Sequence, residues 1–116
     1  MELIKSISGI RGIFGKSLNT SVVNHYANVF SQIQPKGNIL LARDTRPHGK
    51  ELYNNICEHL ITLGRNIESC QIIPTPTAQF IVKSKKLAGG IIVTASHNPI
   101  DWNGLKFIDS DGDFYT

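Results

Sequence analysis

The sequence contains 116 residues, of which 41% are hydrophobic and 18% are charged, and its formal net charge is +3. These values are typical of one small globular domain that can bury its own core. The charges are scattered except for the run 83–86, and no basic stripe alternates with aromatic residues, which argues against a nucleic-acid binder. No apolar stretch approaches the roughly 18 residues of a membrane span, and the first residues lack an apolar signal core. We therefore expect a cytoplasmic protein with no membrane or nucleic-acid partner.

Strand and helix patterns alternate along the chain. Leu3–Ile7 predicts an extended segment, and the glycine-punctuated loop 8–15 leaves room for a second one. After them the pattern predicts three helices and four further extended segments. In chain order these are a helix from the capping residues 19–21 to about Ile33, a strand over 38–42, a helix over 49–63, a strand over 66–73, a helix over 77–85, a strand over 89–94 and an extended segment over 106–108.

Apolar residues at helical spacing define the helix faces that we expect to be buried. In the first helix they are Val22, Val23, Tyr26, Val29, Phe30 and Ile33. In the second they are Leu52, Ile56, Leu60 and Leu63, and Gly64 provides the cap that ends this helix. Because strands alternate with helices, we predict the α/β class, as a three-layer α/β/α sandwich with a mixed sheet of about four main strands and a helix on each face.

The most informative segment is Thr94–Pro99, which reads TASHNP and follows the apolar run Gly89–Val93. An apolar run predicts a buried strand, so the hydroxyl of Ser96 lies just beyond its carboxyl end, where open α/β sheets bind ligands. Lys106 follows on the next extended segment. The combination indicates nucleophilic or phosphoryl-transfer chemistry, although a helix-capping or turn serine would have the same local sequence. Because adjacent side chains on an extended loop diverge, Ser96 and His97 do not form a dyad by themselves.

Four segments, in the same order, resemble the motifs of the α-D-phosphohexomutase superfamily. Ser8–Gly12 resembles its N-terminal arginine loop, Arg43–Arg46 its second motif and Pro74–Pro76 its third. Thr94–Pro99, followed by Asn103–Phe107, resembles its phosphoserine loop. The serine loop is specific by itself, whereas the other three motifs are weak singly. Together they cover nearly the whole chain, and the resemblance is to the first of four domains in that family.

The resemblance implies a role for five residues. Ser96 is the serine that carries a phosphoryl group in the resting enzyme and passes it to a hydroxyl of a sugar monophosphate. The resulting bisphosphate reorients and returns its other phosphoryl group to the serine. His97 and Asn98 flank Ser96 and contact the phosphoryl group or the substrate. Lys106 is the general acid/base, and Arg11 lies near the phosphoserine, where a guanidinium suits a phosphate.

The resemblance also implies Mg²⁺ as cofactor, with the phosphate of Ser96 as its one ligand in this chain and the remaining ligands in other domains. The expected partners are a hexose phosphate substrate and the remaining domains of a longer polypeptide, so residues 1–116 are expected to be a fragment that is inactive alone. The identity of the hexose stays open, because the sugar-recognition loop belongs to another domain. A non-catalytic phosphosugar-binding module is the alternative, and the presence of Ser96 and Lys106 favours the enzyme.

Other chemically suggestive residues are better explained as structure. An aspartate between two arginines in the second motif indicates a structural salt bridge more than a catalytic group. The turn 109–113 reads DSDGD, but an EF-hand would need flanking helices and a terminal glutamate, so we predict a tight turn. Cys57 and Cys70 have neither metal-site nor disulfide spacing and are interpreted as reduced thiols. The glycines of loop 8–15 lack the dinucleotide-binding spacing.

Overall fold

The computed structural model describes the backbone of residues 3–6, 9–13, 20–45, 49–94 and 102–114, and the side chains of residues 21–45, 49–94 and 104–114. Strands and helices alternate through most of these ranges. In chain order they are β1 (Leu3–Ser6), β2 (Gly9–Ile13), α1 (Thr20–Ile33), β3 (Ile39–Arg43), α2 (Gly49–Thr62), β4 (Ile67–Ile72), α3 (Thr75–Ser84), β5 (Gly89–Val93) and β6 (Trp102–Ile108). Among the helices in these ranges, none has the length and apolar character needed to cross a bilayer.

One mixed sheet forms the middle layer, with the strand order β1-β2-β6-β5-β3-β4. Strand β3 lies parallel to β4 and β5, whereas β6 runs antiparallel to β5 and β2, and β2 runs antiparallel to β1. The predicted class is therefore confirmed. The four main strands predicted from the sequence are β3 to β6, and the two N-terminal extended segments extend the sheet to six strands.

Two hydrophobic clusters, one on each face of the sheet, hold the three layers together. The first lies beneath α1 and α2 and includes Phe30, Ile56 and Leu105. The second lies beneath α3 and includes Val82 and Ile92. Because both faces are covered, every residue of β5 is buried, as expected for a continuous apolar strand in the interior of a sheet.

Three residues that the helical pattern assigns to the core are exposed instead. Val29 and Ile33 are 41% and 62% exposed, because the buried stripe of α1 runs through Val23, Ala27 and Phe30. Ala27 is completely buried, although its small side chain gave little signal in the pattern. Leu63 is 43% exposed because α2 ends at residue 62 and Leu63 belongs to the turn that follows.

The turn after α2 is tied to the end of α1 by a single arginine. Arg65 uses all five of its N–H donors. Its Nε donates to the Ser31 hydroxyl at 3.0 Å, and Nη2 donates to the carbonyls of Ser31 and Gln34 at 2.6 and 3.1 Å. Nη1 donates to the carbonyls of Pro35 and Gly37 at 2.7 and 3.0 Å. Arg65 thus binds the Ser31 carbonyl, which is among the last four of α1, and three carbonyls in the segment that follows the helix.

A tyrosine hydroxyl stabilises an irregularity in the pairing of β3 with β4. The register shifts between Leu41 and Ala42, and Gln71 on the opposite strand has a φ of 59°. The hydroxyl of Tyr53 donates to the Leu41 carbonyl at 3.1 Å and accepts from the Gln71 N–H at 3.1 Å. It also contacts the Ser69 hydroxyl. Tyr53 is 2% exposed and its hydrogen bond to the Leu41 carbonyl is buried, whereas Ser69 and Gln71 are exposed residues of β4.

Candidate functional site

The carboxyl ends of three parallel strands meet at one edge of the sheet, and conspicuous motif residues follow each of them. Asp44 follows β3, Pro74 lies just after β4, and Thr94 follows β5. This edge is where open α/β sheets bind their ligands. Segments that are far apart in the sequence and that resemble different family motifs are therefore neighbours in the fold.

A row of backbone groups connects four segments of the chain across the sheet. The Asp44 N–H donates to the Val93 carbonyl at 3.1 Å, and the Thr94 N–H donates to the Gly104 carbonyl at 2.9 Å. Gly104 in turn pairs with Arg11 on β2. Since neighbouring strands lie about 4.8 Å apart, the backbone of Arg11 is roughly 10 Å from that of Thr94. The arginine-loop motif, the second motif and the start of the serine loop thus share one row.

A side-chain hydrogen bond reinforces this row at the point where the serine loop begins. The Thr94 hydroxyl donates to Oδ2 of Asp44 at 2.6 Å, a short distance typical of a hydroxyl bound to a carboxylate. Thr94 is only 6% exposed. The residue two positions before Ser96 is therefore held through both its backbone and its side chain.

The predicted acid/base lysine lies close to the same row. Lys106 lies two residues beyond Gly104 on β6, which is about 7 Å along the strand, and it pairs with Ile92 of β5 and Gly9 of β2. Its side chain is half-buried, and Nζ lies 5.1 Å from the centroid of the Phe114 ring, within cation–π range. Phe114 packs against the cluster beneath α3, so the ammonium lies on that face of the sheet.

The other four predicted site residues lie wholly or partly outside the described residues. Ser96, His97 and Asn98 lie outside the described residues, as does the side chain of Arg11. The fold therefore fixes where the serine loop starts, at Thr94, and the roles of these four residues stay predictions.

The second motif contributes an interaction beyond the salt bridge that was expected. A salt bridge between Asp44 and its flanking arginines was predicted, and Arg46 lies outside the described residues. Arg43 donates from Nη1 to the main-chain carbonyl of Asp44 at 3.3 Å, not to its carboxylate. The Nε of Arg43 is buried and has no hydrogen-bond partner in the described part of the chain. The Asp44 carboxylate also accepts the Thr94 hydroxyl, an interaction that no pattern in the sequence indicated.

The aspartate-rich segment is a tight turn, as predicted. Oδ1 of Asp109 accepts the backbone N–H groups of Asp111 and Asp113 at 2.9 and 3.1 Å, so this carboxylate is used by the turn itself. Gly112 has a φ of 86°, and its N–H donates to the Asp109 carbonyl at 3.0 Å. Within the described ranges, no three His, Cys, Asp or Glu side chains are grouped so that they could hold a metal ion.

Both cysteines are free thiols, and one of them is electrostatically distinct. Burial and the neighbouring Glu68 carboxylate raise the pKa of the Cys70 thiol, while Lys85 offsets part of that rise. Lys85 also forms an ion pair with Glu68 at 3.1 Å. A thiol with a raised pKa is less reactive, because the thiolate is the nucleophile. Cys70 is therefore not a candidate nucleophile at this site.

The fold and the row of motif residues define an α/β domain in which Thr94, the first residue of the predicted serine loop, lies at the carboxyl edge of the sheet. Comparison with known proteins assigns this domain. A sequence model of the family described as phosphoglucomutase/phosphomannomutase, alpha/beta/alpha domain I, matches residues 3–116. The chain belongs to the phosphoglucomutase/phosphomannomutase family and corresponds to its domain I.

Individual relatives agree with this assignment. The chain is 37% identical, over 97% of its length, to a phosphoglucosamine mutase of Prochlorococcus marinus, and it covers 25% of that protein. It is 35% identical, over 90% of its length, to a phosphoglucosamine/phosphogalactosamine mutase of Sulfurisphaera tokodaii, of which it covers 23%. A solved phosphoglucomutase/phosphomannomutase family structure from Burkholderia thailandensis superposes with a TM-score of 0.83 at 29% identity, over 95% of this chain and 26% of that one. The chain thus spans about a quarter of the length of these relatives.

Proposed function

We propose that residues 1–116 are the phosphoserine-bearing domain of a longer, four-domain phosphohexomutase that interconverts hexose 6-phosphate and hexose 1-phosphate. One observation carries the proposal: Thr94, the first residue of the TASHNP segment, follows β5 in the row that also contains the backbone of Arg11, and Lys106 lies two residues from Gly104 of that row on β6. The match to domain I of the family supports it.

In the proposed reaction, the serine acts as a reversible phosphoryl carrier. The bond between phosphorus and Oγ of phosphorylated Ser96 breaks, and a bond forms between phosphorus and a hydroxyl oxygen of the sugar monophosphate. The proton of that hydroxyl passes to the amine of Lys106. The bisphosphorylated sugar then reorients and returns its other phosphoryl group to Ser96, while Lys106 returns the proton. Such chemistry relies on positioning and on charge stabilisation, to which Arg11, His97 and Asn98 would contribute.

The proposal includes Mg²⁺ as cofactor, held at a site that other domains complete. The described residues contain no suitable group of ligands, and the Asp109 carboxylate is already used by its own turn. An oxygen of the Ser96 phosphate would be the one ligand from this domain, and the others would come from the remaining domains. Accordingly, we propose that the isolated chain has no turnover. We also propose that the whole enzyme acts in the cytoplasm.

The substrate to test first is glucosamine phosphate. The relatives quoted above carry the names phosphoglucosamine mutase and phosphoglucosamine/phosphogalactosamine mutase. Glucose and mannose phosphates are the comparison substrates, because the solved relative is described as a phosphoglucomutase/phosphomannomutase family protein. The ratio of kcat/KM values among these sugars would identify the preferred substrate.

The test is mutase activity of the full-length protein that carries this domain, with substitutions at two positions. Ser96→Ala should abolish turnover. Lys106→Met should lower kcat by roughly 10²–10⁴-fold, the usual effect of losing an acid/base group, and should leave folding intact because it preserves the apolar stem. Lys85→Met is the matched control, since Lys85 is 57% exposed and forms a surface ion pair with Glu68. Near-wild-type turnover of the Lys106→Met enzyme, or an active Ser96→Ala enzyme, would contradict the proposal.

A further inference from the structure

The connection between the second motif and the serine loop suggests a role that the proposed mechanism does not use. Asp44 follows β3 and Thr94 follows β5, and these strands are parallel neighbours. Two hydrogen bonds join the residues beyond the strand ends: the Asp44 N–H donates to the Val93 carbonyl, and the Thr94 hydroxyl donates to the Asp44 carboxylate. The second of these bonds is not part of the sheet's own pairing.

This second bond acts on a residue whose position matters for the nucleophile. Thr94 lies two residues before Ser96, and its own N–H is bound to the Gly104 carbonyl on the opposite side of the strand. The Thr94 backbone is thus held from the β6 side and its side chain from the β3 side. With both sides fixed and the residue 94% shielded from solvent, its χ1 angle and the direction of the departing chain have little freedom.

We infer that Asp44 is a positioning residue for the serine loop, acting through the Thr94 hydroxyl to fix the direction in which the chain leaves β5 toward Ser96. The inference rests on the proposed function, because it assumes that Ser96 carries the phosphoryl group. Asp44 does not touch the reacting atoms in this account. Its effect is on alignment, and a nucleophile displaced by about 1 Å can lose roughly a hundredfold in rate.

The experiment measures kcat and KM of the full-length enzyme with substitutions on both sides of the bond. Thr94→Val removes the hydroxyl at nearly constant volume, and Asp44→Ala removes the acceptor. Each should lower kcat about 10–100-fold with KM changed less than about threefold, because substrate binding uses other groups. Thr94→Ser restores the hydroxyl and should recover most of kcat. The double variant should be no slower than the slower single variant, because both changes break one bond.

Gln34→Met is the matched control for a general loss of stability. The Nε2 of Gln34 donates to the buried Ala88 carbonyl at 2.7 Å. This side-chain hydrogen bond is made just before the amino end of β5, whereas the Thr94–Asp44 bond is made just after its carboxyl end. This variant should lose stability comparably in thermal unfolding and keep wild-type kcat. If Asp44→Ala fails to fold, the comparison of Thr94→Val with Thr94→Ser still decides the question.

The outcomes separate the inference from the proposed function. An inactive wild-type enzyme would reject the proposed function, and this inference with it. An active wild type with wild-type kcat in Thr94→Val would reject the inference alone. The same holds if Gln34→Met lowers kcat as much as Thr94→Val, because the effect would then be one of stability, or if Thr94→Ser is as slow as Thr94→Val.

Discussion

Replacing Gly89 with alanine should destabilise the strand that delivers the serine loop. A Cβ at this position would lie 2.8 Å from the Ile108 carbonyl oxygen, 2.6 Å from Nε2 of Gln34 and 3.0 Å from Cζ of Phe30. Real Cβ atoms essentially never approach other heavy atoms so closely. The Ile108 carbonyl belongs to the neighbouring strand and cannot move without disturbing the pairing of β5 with β6.

The cost has two parts. Overpacking a tight interior position costs about 1–3 kcal/mol. Displacing the Gln34 amide also breaks its hydrogen bond to the Ala88 carbonyl, worth about 1 kcal/mol net. The expected loss in the free energy of unfolding is therefore about 2–4 kcal/mol, a large share of the 5–15 kcal/mol typical of such domains. At roughly 4 °C per kcal/mol, Tm should fall by about 8–16 °C.

Thermal and urea unfolding of the chain, followed by circular dichroism, provides the assay. Gly64→Ala is the matched control, because Gly64 has a φ of 89° but no heavy atom within 4 Å of its would-be Cβ. It should cost only about 1 kcal/mol of backbone strain. If Gly89→Ala destabilises the domain no more than Gly64→Ala does, the close approach of β6 and α1 to β5 is not the reason for glycine at position 89.

Further predictions concern three side chains, Tyr53, Arg65 and Cys70. Tyr53→Phe should lower the free energy of unfolding by about 1–3 kcal/mol, because the buried Leu41 carbonyl and the partly buried Gln71 N–H lose their partner at the register shift; a loss under about 0.5 kcal/mol in urea unfolding would contradict this. Arg65→Met should cost about 2 kcal/mol by the same measurement, and Arg65→Lys should recover less than half, because an ammonium cannot serve five acceptors; full recovery by lysine would refute the role of the guanidinium. In a Cys57→Ser background, Cys70 should react more slowly with iodoacetamide at mildly alkaline pH than free cysteine does, because burial and Glu68 raise its pKa. The folded-state pKa of Cys70 is raised, so its contribution to stability is complete below the ordinary thiol pKa and is lost as pH rises through the folded-state value. The Cys70→Ala variant should therefore show a smaller decrease in the free energy of unfolding at alkaline pH than the wild type does.

The layered fold followed from the sequence because its signals are local and strong. The run Gly89–Val93 contains the residues of a strand buried on both faces, and the structure buries all five. The cap at Gly64 was equally readable, since a glycine after an apolar helical pattern supplies the left-handed conformation that ends a helix. The N–H of Arg65 indeed donates to the Leu60 carbonyl at 3.0 Å in such a cap.

Boundaries and edges were less predictable because they depend on partners elsewhere in the chain. Helix α3 begins at Thr75, two residues before the predicted start, since Pro76 needs no hydrogen-bond acceptor in a first turn. Strand β6 begins at Trp102 and not at Lys106, because pairing with β2 over residues 102–106 satisfies the polar backbone of its first half. No periodicity in one segment carries that information.

The candidate site was likewise predictable only in part from the sequence. The sequence identified the segments around Arg11, Ser96 and Lys106 from their residue types and order, and the fold brings the first and third of these to the start of the serine loop. The hydrogen bond between Thr94 and Asp44 joins residues 50 positions apart and depends on the parallel pairing of β3 with β5. A contact of this kind is a consequence of topology and leaves no local signal.

The most direct test of the central claim is phosphopeptide mapping of the full-length enzyme, purified in an active form. We expect one phosphoryl group, located on Ser96 and absent from the Ser96→Ala variant, because in the proposed mechanism the resting enzyme is phosphorylated. Turnover by an enzyme whose Ser96 remains unmodified, both at rest and after incubation with a hexose bisphosphate, would contradict the account. So would a phosphoryl group that maps to a different residue and is lost to the sugar during catalysis.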